Sequence, residues 1–471
     1  METLQRTANR GSISTGFDID NSLKFESDNS EELQRNVSSS GSRQTATVSM
    51  WIKRTELGVA QYLFTYGNTD NDNGRTFARF QADDTLWIAG GNTLWRGTAR
   101  VFRDTSAWMH IVIAFDTTQS TANDRFKLYI NGVQETSFLT INNPSQNDIL
   151  GLNFQKQVIG YNSVDGGSYF NGYMAEIVHQ DGTASAPTEF GETDSDTGIW
   201  IPKDVSGVAS GTNGFYLDFE DASNLGNDAS GGTDFTLNNI TSADQAVDTP
   251  TNSFCTWNPL FSFGGNEAVI NEGATTADSV SGGWKGAVGT IAATNGKWYW
   301  EYRPVAGAFG YRAVGIMGAD YSTDDIDDPR DYCPNLFLRD GLSPYIYQHL
   351  ISGVETAYKA MTSWSSNDSD VFAIALNLDD EEITFYRNGT AITENGTSNT
   401  TFSISSVIGQ SEPIVPYYRS FDSTEIYFNF GGYTEMTIAS GNTDANGYGT
   451  FEYAPPSGYY ALCSKNLAEF G

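Results

Sequence analysis

The sequence predicts an all-β protein made of two antiparallel β-sandwich (jelly-roll) domains in tandem. Three observations predict it. Turns rich in Gly, Asn, Ser and Thr cut the chain into short runs where apolar and polar residues alternate. Alternation at period two puts one face of a strand in a core and the other in water. No long window carries apolar residues at i, i+3, i+4 and i+7, so no amphipathic helix organises the fold. Finally, one strand order occurs twice. Residues 108–116, a polar turn and residues 124–133 form a hairpin closing on Asn131-Gly132, and residues 371–378, Asp379-Asp380 and residues 383–390 form another closing on Asn388-Gly389. Asn-Gly readily adopts the two positive φ values of a type I′ turn, which folds a strand straight back.

The elements follow in order. Residues 1–20 are polar and Gly/Ser-rich, an N-terminal arm. Residues 22–26 alternate and form the first strand, and residues 45–54 the next strong one. Residues 61–66, 76–80 and 85–89 follow, separated by turn clusters such as residues 67–74. After the hairpin, residues 158–160 and 170–178 add two more. These strands place the first sandwich at residues 21–200. Residues 201–260 read as a connecting β segment and linker. Residues 214–220 alternate, residues 221–232 are turn-rich, and Pro250 and Pro259 lie in a polar setting, so the modules join near Pro250. Residues 261–471 hold the second sandwich and a C-terminal tail. There Trp298, Trp300 and Tyr302 share one strand face and read as core.

The motifs resemble two known families. Val48-Ser49-Met50-Trp51-Ile52-Lys53-Arg54, then Trp108-x-His110-Ile111, Leu128-Tyr129-Ile130-Asn131-Gly132 and Phe170-Asn171-Gly172-Tyr173-x-Ala175-Glu176 resemble the laminin-G-like, concanavalin-A-like family over about residues 20–200. That resemblance implies a two-sheet sandwich that binds glycan or protein, with calcium at the rim in some members. Residues 296–302, 314–318, 370–378, 383–389, 413–416 and 427–431 resemble the SPRY family over about residues 284–432. It implies a twisted sandwich used for protein recognition. The junction at residues 200–260 and the tail at residues 453–463 resemble tailed-phage structural proteins.

Charge narrows the partners. The net charge is −32, with 32 acids and 16 bases in residues 1–250 and 26 and 10 in the rest. An evenly acidic surface repels phosphate backbones, so nucleic acid is not expected as a partner. No window approaches 18 apolar residues, so no membrane span is expected, and residues 1–6 show no secretory signal. The three cysteines, Cys255, Cys333 and Cys463, are widely spaced and read as free thiols.

No catalytic pattern emerges. Glycosidases need two carboxylates roughly 5–10 Å apart flanking the scissile bond. No Glu-x-Asp-x-Glu or Glu-x-Asp-x-x-Glu stretch occurs. Asp218 and Glu220 are the nearest same-face pair, and Glu176 and His179 point to opposite faces of a strand. There is no Gly-x-Ser-x-Gly, Walker loop or His-Glu-x-x-His. His110 reads as a hydrogen-bonded strand residue. Calcium is the plausible small partner. Asp70 and Asp72, with Gly74 after them, begin like an EF-hand loop, although Gln81 stands where the bidentate Glu belongs. A second acidic cluster lies at residues 324–328. Trp95 and Tyr161, in Gly/Asn-rich loops, are the candidate ligand-binding aromatics. Trp87, among Leu86, Ile88 and Ala89, reads as core.

The expected function is a non-enzymatic phage virion surface protein, a capsid decoration, appendage or fibre protein. It would be made in the host cytoplasm and present its modules for glycan or protein binding and host attachment. Its partners would be other virion proteins and a host surface glycan or protein, and a homo-oligomer is expected. A tail-associated glycan-degrading enzyme and a bacterial surface adhesin stand as alternatives.

Overall fold

A computed structural model describes residues 16–69, 71, 73–261, 266–279, 283–305, 311–319, 335–339, 345–347, 358–361, 369–405, 413–421 and 425–471. The chain divides into two compact units, Ile13–Thr251 and Asn252–Gly471. Both are built of strands paired almost wholly antiparallel, as the alternation predicts.

In the first unit the described residues form two sheets. Sheet I runs Val133–Gln134, Phe126–Ile130, Met109–Asp116, Thr45–Arg54, Gly172–Asp181, Ser22–Phe25 and Gln245–Ala246, and Phe215–Leu217 also pairs with Gly172–Asp181. Sheet II runs Phe138–Ile141, Leu94–Val101, Thr85–Gly90, Arg75–Phe80, Gln61–Gly67, Lys156–Ile159, Glu32–Asn36 and Thr236–Asn238. Alternate residues of the two sheets meet in one core that includes Met50, Ile52, Phe64, Phe80, Ile88, Ile111 and Phe115. Each such side chain contributes roughly 1.5–3 kcal/mol of burial energy.

Residues 201–251, expected within a connector, belong instead to this sandwich. Phe215–Leu217 pairs with Gly172–Asp181, and Thr236–Asn238 and Gln245–Ala246 pair with strands near its start. Asp248 then ties the end of the unit to its interior. Its Oδ2 lies 2.6 Å from Lys53 Nζ, its Oδ1 accepts from Trp108 Nε1 at 2.8 Å, and its carbonyl accepts from Ser22 Oγ at 2.6 Å. These late strands are two or three residues long, too short for alternation to show. The arm is likewise not free at its end, because Ile19 is buried and donates its N–H to Thr251 Oγ1 at 3.1 Å. Residues 252–260, the rest of the expected connector, belong to the second unit, where Trp257 lies in the core.

Both Asn-Gly turns form as the sequence predicts. Asn131 and Gly132 have φ of +49° and +76°, and Asn388 and Gly389 have +49° and +73°. Each asparagine makes the same two bonds to the neighbouring strand. Asn131 donates its N–H to His110 O at 2.9 Å, and its Oδ1 accepts from His110 N–H at 2.8 Å. Asn388 donates to Val371 O at 2.7 Å, and its Oδ1 accepts from Val371 N–H at 2.9 Å. An aromatic ring covers each glycine. A Cβ on Gly132 would stand 2.3 Å from Cε3 of Trp200, and one on Gly389 2.6 Å from Cδ1 of Tyr453.

The second unit also pairs two sheets. One runs Val269–Asn271, Thr276–Asp278, Glu425–Asn429, Lys297–Pro304, Phe372–Asn377, Glu382–Arg387 and Thr390–Ala391. The other runs Trp284–Val288, Ile414–Phe421, Tyr311–Gly318, Asn335–Arg339, Tyr345–Tyr347 and Tyr358–Ala360. Trp298, Trp300 and Tyr302 are core, as expected, with Trp257, Phe428 and Phe430. Glu301, between them in sequence, is buried and accepts from Tyr299 Oη, Asn429 Nδ2 and the N–H groups of Glu452 and Tyr453. The C-terminal tail is part of the fold. Tyr460–Ala461 pairs with Lys297–Pro304 in parallel, and the helix Ser464–Phe470 follows. Cys255 and Cys463 are buried thiols in no disulfide; Cys333 lies outside the described residues. No helix among the described residues is long and apolar enough to cross a membrane.

Candidate functional site

The two outer faces of the first sandwich differ. That of sheet I is covered. Val112 and Val178 pack there under Phe190, Val205 and Tyr216. Strand Trp200–Pro202, paired with Gly191–Thr193, lays Trp200 over His110. The imidazole stacks on Trp51, ring centroids 4.6 Å apart, and meets Trp200 at its Nδ1 edge, centroids 6.0 Å apart.

This covering fixes the chemistry of His110. Trp200 Nε1 can only donate, so His110 Nδ1 accepts, at 3.0 Å. The ring proton therefore sits on Nε2 and is donated to Ser49 Oγ at 2.8 Å. Burial pushes the imidazole pKa down to about 3. Ser49 and His110 thus stand like half of a nucleophilic triad but with the proton on the nitrogen that would have to accept one. They act as scaffold.

Sheet II presents the open face. On Arg75–Phe80, Ala78 and Phe80 enter the core, and Arg75, Phe77 and Arg79 point the other way. On Thr85–Gly90, Leu86 and Ile88 enter the core and Trp87 and Ala89 face out. A register shift between Tyr62 and Phe64 lets Leu63 and Phe64 both reach the core and turns Tyr62 onto the outer face. The Tyr62 and Phe77 rings lie 5.1 Å apart. Arg79 rises among them, its guanidinium carbon 5.2 Å from the Tyr62 ring centre, 5.7 Å from Phe77 and 5.4 Å from Trp87. Arg79 and Trp87 are half-buried, whereas Tyr62 and Arg75 beneath them are sealed.

A loop between Lys156–Ile159 and Gly172–Asp181 forms the rim of this face. Arg75 holds it, donating to Asp165 Oδ2 at 2.9 Å, Asn162 Oδ1 at 2.9 Å and Tyr62 Oη at 3.0 Å. Burial pushes the Asp165 carboxyl up, but bonds from Arg75 and Asn162 and the charges of Arg75 and Arg79 outweigh it and hold its pKa below the usual range. Tyr161 stacks on Tyr169, centroids 4.4 Å apart and planes 19° apart, and its carbonyl accepts from Thr65 Oγ1. Arg79 donates to Tyr62 Oη at 2.9 Å and makes no ion pair among the described residues.

The residues singled out from the sequence fare differently. Tyr161 is half-buried on the rim, beside the aromatic–arginine face. Trp95 is a correction. It lies in strand Leu94–Val101 and is only 3 % exposed, its ring edge-on to Phe115 in the core, so it cannot offer a face to a ligand. Asp70 and Asp72, the candidate calcium ligands, lie outside the described residues, as does the cluster at residues 324–328. Among the described residues no group of three or more His, Cys, Asp or Glu side chains could hold a metal ion. Asp218 and Glu220 do not share a strand face. The strand ends at Leu217, Phe219 turns into the core with φ of +61°, and Asp218 Oδ1 accepts from Glu220 N–H. Glu176 sits at a bulge with φ of +49° and accepts from Tyr216 Oη at 2.8 Å. Burial first, then the charges of Asp218, Glu220 and Asp204, push its carboxyl up to about 8.

Tyr62, Arg75 and Arg79 are not singled out by sequence, and Trp87, weighed there as a sugar platform, is set aside as core. Trp87 reads as core from its neighbours, yet the alternation that sends Leu86 and Ile88 inward sends Trp87 outward. The same rule marks Arg75-x-Phe77-x-Arg79 as one outward row.

Residues 25–188 match a family model described as the concanavalin A-like lectin/glucanases superfamily, within the stretch whose motifs resemble that family. No curated protein matches the chain. Among solved structures, the chain is similar to the SPRY domain of human HERC1, at 15% identity over 36% of this chain and 94% of that one, with a TM-score of 0.26. It is also similar to the TRIM65 PSpry domain, at 13% identity over 37% and 91%, with a TM-score of 0.27.

Proposed function

We propose that the chain is a non-enzymatic virion surface protein whose β-sandwich modules bind glycan or protein, with the outer face of sheet II as a glycan-binding surface. The observation that carries the binding role is the half-buried pair Arg79 and Trp87, raised above sealed Tyr62 and Arg75. An aromatic face stacks on the C–H side of a pyranose, and a guanidinium supplies directed donors. The match of residues 25–188 to a superfamily of lectins and glucanases supports a glycan as the ligand. The virion address is supported by sequence resemblance, in the junction and the tail. Without a repeated or heptad stalk, a compact decoration or appendage protein fits better than a long fibre.

Two measurements test this reading. Glycan-array binding by the full chain, lost on Trp87→Ala, is expected; an unchanged array profile would remove the face as the site. Electron microscopy of virions labelled at Gly471 is expected to show label on particles, and unlabelled particles would remove the virion role.

A further inference from the structure

We propose that the sheet II face takes an acidic glycan, one whose sugar units carry carboxylates, and that Arg79 is the residue that binds the anion. This rests on the reading of the face as a glycan site. The charge count on the face is the starting point. The chain as a whole carries −32, yet this face sets two arginines, four residues apart on one strand and on the same side of it, beside the carboxylate of Asp165. Arg75 takes that carboxylate as its ion-pair partner and is itself only 2 % exposed. Arg79 is left half-buried, its Nη1 bonded to the Tyr62 hydroxyl and its Nε and Nη2 to the side-chain oxygen of Gln81 at 3.3 and 2.9 Å, and without an ion pair among the described residues. A guanidinium keeps its charge under all ordinary conditions, and its fork of donors matches a carboxylate with two parallel bonds.

The surroundings select a sugar acid over a simple anion. Trp87 flanks the guanidinium at 5.4 Å and is half-buried, so one sugar unit can lay its ring on the indole and its carboxylate on Arg79. Gly97 pairs with Trp87 on the adjacent strand. A Cβ there would touch the indole Nε1 at 3.4 Å, so the glycine keeps that flank of the ring clear. The acidic remainder of the surface does not forbid the approach, because salt screens it beyond about 8 Å at physiological ionic strength.

The test is calorimetric titration of the full chain with polygalacturonate and alginate oligosaccharides, the same oligosaccharides reduced at the carboxyl to neutral sugars, dextran sulfate, and polyglutamate. We expect the uronates to bind, with carboxyl reduction and Arg79→Gln each weakening binding about tenfold, the loss of one charge-assisted pair. Arg79→Lys should rescue only in part, and Trp87→Ala should weaken acidic and neutral sugars alike. Circular dichroism should show Arg79→Gln folded as the parent. Equal binding of acidic and neutral sugars, unaffected by Arg79→Gln, would overturn the acidic-ligand proposal and leave the face a glycan site. Tighter binding of dextran sulfate would overturn the carboxylate assignment, and equal binding of polyglutamate the assignment to a glycan. Failure to bind any sugar, acidic or neutral, would overturn the glycan face itself.

Discussion

Asp248 places Oδ2 2.6 Å from the Nζ of Lys53, 195 residues earlier in the chain, with both side chains fully buried. The pair joins the end of the first unit to the C-terminal end of strand Thr45–Arg54, and Trp108 completes it from a third element. It shows that the first sandwich is not finished at residue 200.

Removing one partner of a buried pair strands the other charge. Asp248→Ala is therefore expected to cost about 3–5 kcal/mol, read as a lower midpoint in denaturant. Lys53→Met together with Asp248→Leu should recover much of that loss. A single mutant as stable as the parent would show that the pair does not hold the late strands in place.

The pH dependence of stability should run opposite to the usual acid-unfolding pattern over part of the range. The Glu176 carboxyl is pushed from 4.5 to about 8 by burial. Below its unfolded pKa the group is protonated in both states and the folded state has its full advantage. As pH rises from there toward 8 the unfolded chain gives up a proton that the folded state still holds, so stability falls, and the loss is complete once the folded carboxyl ionises. Glu31 and Glu301, each pushed up to about 7 mainly by burial, act in the same direction. Melting temperature should therefore drop between about pH 5 and about pH 9, and Glu176→Gln should melt higher than the parent at the upper end. Parallel curves for the two proteins would contradict the assignment.

Trp95 and Tyr161 separate core from rim. Trp95→Ala is expected to cost about 3–5 kcal/mol of stability, as a cavity beside Phe115 requires. Tyr161→Ala loses a stacked pair worth about 0.5–1.5 kcal/mol and should weaken glycan binding without unfolding the sandwich. Measuring melting and binding on both variants checks the contrast.

The two turn glycines should differ in their tolerance of alanine. Gly132 and Gly389 have nearly the same positive φ, so the backbone strain of about 1–2 kcal/mol is common to both. The ring over Gly132 belongs to Trp200, which is anchored to buried His110 and cannot easily retreat. Gly132→Ala is therefore expected to be the more destabilising of the two in thermal melts.

The fold was legible in the sequence wherever alternation runs for five residues or more and a turn has a required chemistry. Both Asn-Gly hairpins and the Trp298–Trp300–Tyr302 core face follow from those rules. The strands around Phe215, Thr236 and Gln245 did not, because two or three residues carry no period, and the partners of the last two lie about 200 residues away. The candidate site was half legible. Tyr161 sits on its rim, but the face itself is assembled from three strands, and the register shift at Leu63 that turns Tyr62 outward leaves no mark in the sequence. Trp95 misled because a Gly/Asn-rich neighbourhood was taken for exposure, when the residue lies on a strand facing the core.

The paired bonds of Asn131 and Asn388 also bear on how this protein ages. In a flexible chain, Asn-Gly is the dipeptide most prone to cyclise, the glycine nitrogen attacking the asparagine side-chain carbonyl and expelling ammonia. Here each carbonyl oxygen is fastened to a neighbouring N–H, and the backbone on both sides is fixed in the turn. Deamidation at either site must wait for the hairpin to open. The rate at which each asparagine turns to aspartate in storage thus serves as a clock for local opening, one for each sandwich.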